Sequence, residues 1–171
     1  MFFLDYTIVQ YFPLQLFVLL FNLGYDWWYA FIFSGICSVL FLLLLLFRNK
    51  IIDRFVLAIY CFLIAGAVMF VGKVPFLEYS YEFFDESMLL LWMLIIGTIS
   101  TFATSAGFIG IETQNIKHTR LYSIYLLCAT LGALIISLFF RGNLLLAGTL
   151  PFIALKFLQI KLQKKLKMMK P

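Results

Sequence analysis

Apolar runs recur along the whole chain, and a run of about 20 residues is long enough to cross roughly 30 Å of hydrocarbon as a helix. Six such segments can be marked: residues 7–24, 27–47, 55–72, 88–110, 121–140 and 144–160. They fill most of the 171 residues, which leaves no room for a separate soluble enzyme domain. The pattern predicts an all-α, polytopic transmembrane helix bundle that forms one domain over residues 1–171.

Composition excludes a soluble globule. The chain is 64% hydrophobic and 12% charged, whereas soluble domains are about half apolar and a quarter charged. The N-terminus carries Asp5 but no Lys or Arg, and no small-residue cleavage site follows the first apolar stretch. This start does not read as a removable signal peptide, so the first segment is expected to be retained.

The first and last segments are the weaker ones. Segment 7–24 contains Gln10, Pro13, Gln15 and Asn22, and segment 144–160 is interrupted by Pro151 and Lys156. From Arg141 to Lys156 is only about 22 Å of helix, so the last segment spans only if Lys156 snorkels or the bilayer thins. Six spans are the leading prediction, and five spans without segment 7–24 are the alternative.

The positions of Lys and Arg predict the orientation. With six spans and both termini in the cytoplasm, 11 of the 13 basic residues lie on the cytoplasmic side. Only Lys73 and Arg141 lie on the other side. Because short cytoplasmic loops are enriched in Lys and Arg, this orientation is the expected one. The chain is expected to be a multi-pass plasma membrane protein, of a bacterial inner membrane.

Small residues recur at four-residue spacing in three segments. Such rows let helices approach closely in a bilayer, where packing rather than hydrophobic burial drives association. The leading interpretation is helix packing, with a pore lining or self-association into a homo-oligomer as alternatives. The rows are Ala30, Ser34 and Ser38; Gly97, Thr101 and Ser105; Ala129, Ala133 and Ser137.

Amide side chains mark one face of segment 7–24. Gln15 and Asn22 lie near Tyr11 on that face, and amides are costly against lipid, so the face is expected to turn toward protein. A structural hydrogen-bond network is the leading interpretation; a polar substrate or a subunit contact is the alternative. Pro13 and Pro151 are expected to bend their helices and to free one carbonyl each.

The loop of residues 73–87 is the most distinctive stretch on the outer side. As a helix it would place Glu78, Glu82 and Asp85 or Glu86 on one face, with Phe76, Tyr79 and Phe83 near another. Such a helix would lie in the interface with its rings at headgroup depth. Sensing of an external ligand or envelope partner, and binding of a divalent cation, are the alternative roles.

The C-terminal stretch predicts a basic amphipathic helix that extends the last span. Leu155, Leu158, Leu162, Leu166 and Met169 follow helical spacing. Lys161, Lys164, Lys165 and Lys167 stand between them, and Lys170 follows. These lysines would anchor the tail on anionic membrane lipid. Docking of a cytosolic protein on the apolar stripe is the alternative; nucleic acid is not expected, because the tail lacks aromatic residues and Arg.

No catalytic or cofactor-binding constellation can be recognised. His118 is the only histidine, and no Cys, Asp or Glu lies at ligand spacing around it. None of the carboxylates lies in the middle of an apolar segment, which argues against an ion-coupled pump. We therefore expect no enzyme, no metal and no cofactor.

Short tokens in the first 55 residues resemble those of the bacterial YciB septation proteins. They are Phe3-Leu4-Asp5, Phe12-Pro13-Leu14, Tyr25-Asp26 and the basic turn after segment 27–47. The later chain lacks the Trp-rich character of that family, so membership is not inferred and no function is carried over.

Two functional hypotheses follow. The first is a non-enzymatic membrane subunit, an oligomeric scaffold or envelope sensor that recruits a cytosolic partner through its basic tail. Small membrane subunits of phage-defence or toxin-immunity systems are proteins of this general kind, and the comparison is an analogy only. The second is a small channel or facilitator lined by the hydroxyl and amide residues of the first and fourth segments.

Overall fold

In the computed structural model, which describes residues 9–48, 52–111 and 116–168, every regular element is a helix. This confirms the predicted all-α class. The elements are α1 (Phe12–Asn22), α2 (Trp27–Phe47), α3 (Arg54–Gly72), α4 (Pro75–Phe84), a 3-10 turn (Asp85–Ser87), α5 (Met88–Ala103), α6 (Ile116–Phe139), a π-helix (Leu144–Thr149) and α7 (Leu150–Met168). The chain divides into two compact units, Met1–Phe83 and Phe84–Pro171, which we call unit 1 and unit 2.

Five helical stretches among the described residues are long and apolar enough to cross a membrane, as expected for a multi-pass membrane protein. They are Trp27–Phe47, Arg54–Gly72, Pro75–Ala103, Ile116–Phe139 and Leu145–Met168. Helix α1 has only 11 residues, or about 16 Å. Residues 7 and 8 of the first predicted segment lie outside the described residues, so six-span and five-span topologies still differ only in this segment.

The predicted boundaries agree closely for α2 and α3 and fail for the fourth segment. Helix α5 ends at Ala103 rather than at residue 110, and the chain then forms consecutive turns. Gly107 and Gly110 adopt positive φ angles of 58° and 76°, a conformation that glycine reaches without steric cost. Helix α6 begins at Ile116, five residues before the predicted start at 121.

The last predicted span and its predicted basic extension form one continuous helical stretch. It begins after Asn143, whose side-chain oxygen accepts hydrogen bonds from the N–H groups of Leu145 and Leu146, both at 3.2 Å. The π-helix leads directly into α7, which continues to Met168. Because Lys and Gln are good helix formers, the basic residues do not end the helix. The 24 residues of Leu145–Met168 measure about 36 Å. This length includes Lys156 and the exposed lysines from Lys161 onward, so snorkelling of Lys156 or local thinning of the bilayer stays a prediction.

An aromatic cluster holds unit 1 together. The Phe31 ring of α2 lies 4.7 Å from Phe17 of α1, 5.3 Å from Phe62 of α3 and 5.6 Å from Tyr81 of α4, measured between ring centroids. The Tyr81 hydroxyl donates a hydrogen bond to the Phe62 carbonyl. All four helices of unit 1 therefore meet at one buried contact, and Tyr81 fastens α4 to it.

Small residues let α2 and α3 approach closely, as the four-residue spacing predicts. Ala30, Ser34 and Ser38 are fully buried. The Ser38 hydroxyl donates to the Ser34 carbonyl at 2.8 Å, so it is satisfied within its own helix. On α3, a Cβ atom added at Gly66 would lie 2.2 Å from the Phe31 ring. Gly66 is therefore required by the aromatic cluster.

In unit 2, α5 packs on α6 and on the turns of residues 104–111. A Cβ atom at Gly97 would lie 2.8 Å from the Phe108 ring and 2.9 Å from Leu127. Thr101 is fully buried, and its hydroxyl donates to the Gly97 carbonyl at 2.7 Å. These two residues of the predicted fourth-segment row serve helix packing.

We expect Gly66→Ala to destabilise the protein by about 1–3 kcal/mol, because the new methyl group overlaps the buried Phe31 ring. The matched control is Gly132→Ala on α6, where a Cβ atom meets nothing within 4 Å; this change should be neutral or slightly stabilising. Thermal unfolding in detergent, followed by circular dichroism, measures both. Equal melting temperatures for the two variants would contradict the close packing of Gly66.

Candidate functional site

One end of unit 2 carries the acidic turn Asp85–Ser87 and the connection between α6 and the π-helix. The Glu86 carboxylate accepts a hydrogen bond from the Gly142 N–H at 3.2 Å. Arg141 lies within electrostatic range of the Asp85 carboxylate. Asp85 adopts a positive φ of 48°, which Asp tolerates better than most residues. We call this the acidic end.

A relay of buried hydroxyl groups lies just inside the acidic end. Pro151 has no N–H to offer to the Ala147 carbonyl four residues earlier. The Ser137 hydroxyl donates to that carbonyl. Because a hydroxyl has a single proton, the 2.6 Å bond between Ser87 and Ser137 must have Ser87 as the donor. As expected, Pro151 provides no N–H for the Ala147 carbonyl, and Ser137 of α6 donates a hydrogen bond to it instead.

The predicted acidic residues are divided between the two units. Glu78 and Glu82 lie exposed on α4 in unit 1. Asp85 and Glu86 belong to unit 2, where the structure brings them together with Arg141 and Gly142. The loop is helical over Pro75–Phe84 as predicted, and its rings at Phe76, Tyr79 and Phe83 are exposed, as expected of a helix at an interface.

The opposite end of unit 2 carries the lysines of α7 and the turns of residues 104–111. Gln163 of α7 donates from its side-chain nitrogen to the Ile109 carbonyl at 2.7 Å. The Ile109 N–H donates to the Ser123 hydroxyl of α6 at 3.3 Å. The turns are therefore bonded to both neighbouring helices. We call this the lysine end. It lies at the opposite end of unit 2 from the acidic end, as predicted for helices α5, α6 and α7 that run in alternating directions.

The leucine stripe of α7 is covered by unit 2 itself. Leu155 and Leu166 are 3% and 2% exposed, and Leu158 and Leu162 are half-buried. Met169 lies outside the described residues. Leu155 and Leu166 have little surface left for a docked cytosolic protein, whereas Leu158 and Leu162 keep part of theirs; the docking alternative stays a prediction.

Sequence reasoning missed the glutamines of the same stripe, one of which is buried. Gln159 is 1% exposed, and its side-chain oxygen accepts a hydrogen bond from the Lys156 ammonium at 2.8 Å. Gln159 and Gln163 follow Leu155 at four-residue intervals. A glutamine in the continuation of the leucine row was the available signal that α7 contacts polar backbone, which Gln163 does at Ile109.

The lysines of α7 remain exposed on two faces. Lys161 and Lys165 are four residues apart and share one face; Lys164 and Lys167 share another. The Lys165 ammonium lies 5.8 Å from the centroid of the Tyr122 ring, a cation–π distance. We call the two pairs the groove lysines (Lys161, Lys165) and the outer lysines (Lys164, Lys167). Lys170, also predicted for this site, lies outside the described residues.

An apolar groove of about 560 Å³ runs between α6 and the last span. Ala129 and Ala133, two members of the predicted small-residue row of α6, line this groove, while the third, Ser137, is buried in the hydroxyl relay. The lining of the groove also includes Ile136, Leu150, Ala154 and Leu158. The groove ends one helical turn before the groove lysines.

The remaining polar residues predicted for the first and fourth segments do not form one polar surface. Gln15 and Asn22 are exposed on α1 in the single chain, which does not support a hydrogen-bond network within it; a polar substrate or a subunit contact stays a prediction. Among the described residues of unit 1, Gln10 is a buried amide, and its backbone carbonyl accepts a hydrogen bond from the Tyr60 hydroxyl at 2.9 Å. Ser105 is exposed beyond the end of α5.

Comparisons with protein-family models, curated proteins and solved structures find no match for this chain. The short tokens that resemble YciB proteins gain no support from a family match, and Phe3-Leu4-Asp5 lies outside the described residues.

Replacing Ser137 by Ala should cost about 1–3 kcal/mol of stability, because the Ala147 carbonyl and the Ser87 hydroxyl both lose their buried partner. Thr130→Val on the same helix is the control: Thr130 is also buried, but its hydroxyl donates only to the Leu126 carbonyl of its own helix. Thermal unfolding in detergent compares them. A loss for Thr130→Val as large as that for Ser137→Ala would rule out a special role of the relay.

Packing of the leucine stripe should protect the lysines from trypsin. Leu166→Gln removes a buried side chain worth about 1.5–3 kcal/mol, and we expect cleavage within α7 to accelerate roughly tenfold or more. Met168→Gln is the matched control, because Met168 is 69% exposed. Time courses of limited proteolysis on the full chain in nanodiscs measure the rates. Fast cleavage of the unchanged protein would contradict a packed lysine end.

Proposed function

We propose that the chain is a non-enzymatic subunit of a bacterial inner membrane, a scaffold or sensor that recruits an acidic cytosolic protein to the outer lysines. This proposal rests mainly on one observation: α7 buries Leu155 and Leu166 and leaves the groove lysines and the outer lysines exposed. A lysine face fixed on a packed helix needs no ordering when a partner binds, which lowers the entropic cost of recognition.

The surface beside the outer lysines supports a protein partner. Ile153, Phe157 and Ile160 are 42%, 63% and 50% exposed, and at spacings of three and four they lead along one helix face to Lys164 and Lys167. Toward the lysine end of this face, the aromatic Phe157 and the aliphatic Ile160 lie next to the positively charged outer lysines. Acidic residues around an apolar contact would complement it, and opposite charge would speed association.

The acidic end suits the sensing part of this proposal. Its carboxylates lie at the end of unit 2 opposite the lysines, and α5, α6 and α7 run between the two ends. A ligand that replaced Gly142 or Arg141 as the partner of Glu86 or Asp85 would change how the last span begins. Assembly into a homo-oligomer belongs to the same proposal; exposed residues of the spans are available for it.

We expect the double variant Lys164→Glu, Lys167→Glu to lower partner recovery by about threefold to tenfold, since charge repulsion replaces attraction of up to about 1 kcal/mol per pair. Quantitative affinity purification of the tagged full chain from its native membrane, in mild detergent, measures this recovery. The charge-matched control is Lys161→Glu, Lys165→Glu, which should retain the partner. If no soluble protein depends on the outer lysines more than on the groove lysines, the recruitment proposal fails.

A further inference from the structure

The apolar groove and the groove lysines lie on one continuous face of unit 2. On α7, Ala154, Leu158, Lys161 and Lys165 follow each other at spacings of four, three and four, which keeps them on the same side of the helix. The face therefore changes from apolar to cationic between Leu158 and Lys161, within a single turn.

The surface of α6 changes from small apolar residues to tyrosines at the same level. Ala129 and Ala133 line the groove, and Tyr125 and Tyr122 continue their face one and two turns toward the lysine end. The rings of Tyr122 and Tyr125 are 6.4 Å apart, and Lys165 lies over Tyr122. In the antiparallel register that brings Lys165 to Tyr122, Lys161 lies level with Tyr125. Two cations and two phenol hydroxyls thus border the end of the groove.

The groove is long enough to hold an acyl chain. The groove extends along the last span from Leu146 to Leu158, which is about 18 Å of helix. The hydrocarbon of one leaflet is about 15 Å thick, half of the roughly 30 Å core. Tyrosines and lysines are found where the hydrocarbon meets the headgroups. The groove is therefore long enough for an acyl chain whose headgroup lies at its cationic border.

We propose that this face binds one anionic phospholipid, with an acyl chain in the groove and its phosphate at Lys161, Lys165, Tyr122 and Tyr125. The acyl chain fills an apolar space that no side chain of unit 2 occupies. The phosphate receives the charge of two ammonium groups and hydrogen bonds from two hydroxyls. The site is independent of the proposed recruitment of a protein, which uses the outer lysines on another face.

Native mass spectrometry of the purified full chain in mild detergent tests the site. Phosphatidylglycerol and phosphatidylcholine with identical acyl chains are added, and the lipid retained by each protein is counted. We expect phosphatidylglycerol to be retained preferentially. Lys161→Gln with Lys165→Gln should weaken this retention about fivefold for each lysine removed, as expected of about 1 kcal/mol per lysine near a membrane surface. Lys164→Gln with Lys167→Gln is the matched control and should keep the preference.

The groove is tested separately from the charge. Ala133→Phe should fill it and reduce retention of phosphatidylglycerol, with circular dichroism confirming an unchanged melting temperature. On the unchanged protein, a short-chain phosphatidylglycerol should bind more weakly than the long-chain lipid, because it leaves the groove empty; this comparison needs no variant to fold.

Three results would overturn the proposal. Equal losses from the two lysine pairs would indicate nonspecific attraction of an anionic lipid. Displacement of the lipid by excess inorganic phosphate, or equal affinity for short and long acyl chains, would indicate a phosphate site without an acyl-chain site. A dimer that dissociates on Ala133→Phe while lipid binding persists would assign the groove to a second copy of the chain.

Discussion

In hydrocarbon, a backbone polar group has no water to bond to, and each group left without a partner costs several kcal/mol. Polar side chains inside unit 2 provide hydrogen-bond partners for such backbone groups. Ser137 serves the Ala147 carbonyl in front of Pro151, while Ser123 and Gln163 serve the turn at Ile109. Thr101 donates to a carbonyl of its own helix. These side chains are bonded to the backbone. The exposed charged side chains in the described part of unit 2 lie at its two ends.

The same constraint explains the arrangement of the lysine end. Turns that pack against a helix need partners for their N–H and C=O groups, and Gln163 of α7 brings an amide to the Ile109 carbonyl. Burial of Leu155 and Leu166 then fixes the rotation of α7. That rotation places one lysine pair beside the groove and the other pair on a separate face, which allows the two pairs to have different partners.

Apolar length and periodicity predicted the helical class, the bounds of α2 and α3, and the helical extension that carries the lysines. They failed at residues 104–110, because a buried turn is as apolar as a buried helix and only Gly107 and Gly110 distinguish it. The sequence also placed the cationic residues of the candidate site. It could not predict the groove, the bond from Gln163 to Ile109 or the relay through Ser137, since each depends on how distant helices meet.

Amide hydrogen exchange of the full chain in nanodiscs tests most directly whether the lysine end is a packed helix. We expect the amides of residues 159–166 to exchange as slowly as those within the membrane-spanning part of α7, because the leucines and glutamines hold them against unit 2. Exchange of these amides at the rate of an unstructured peptide would contradict a fixed lysine face and, with it, both proposed binding surfaces.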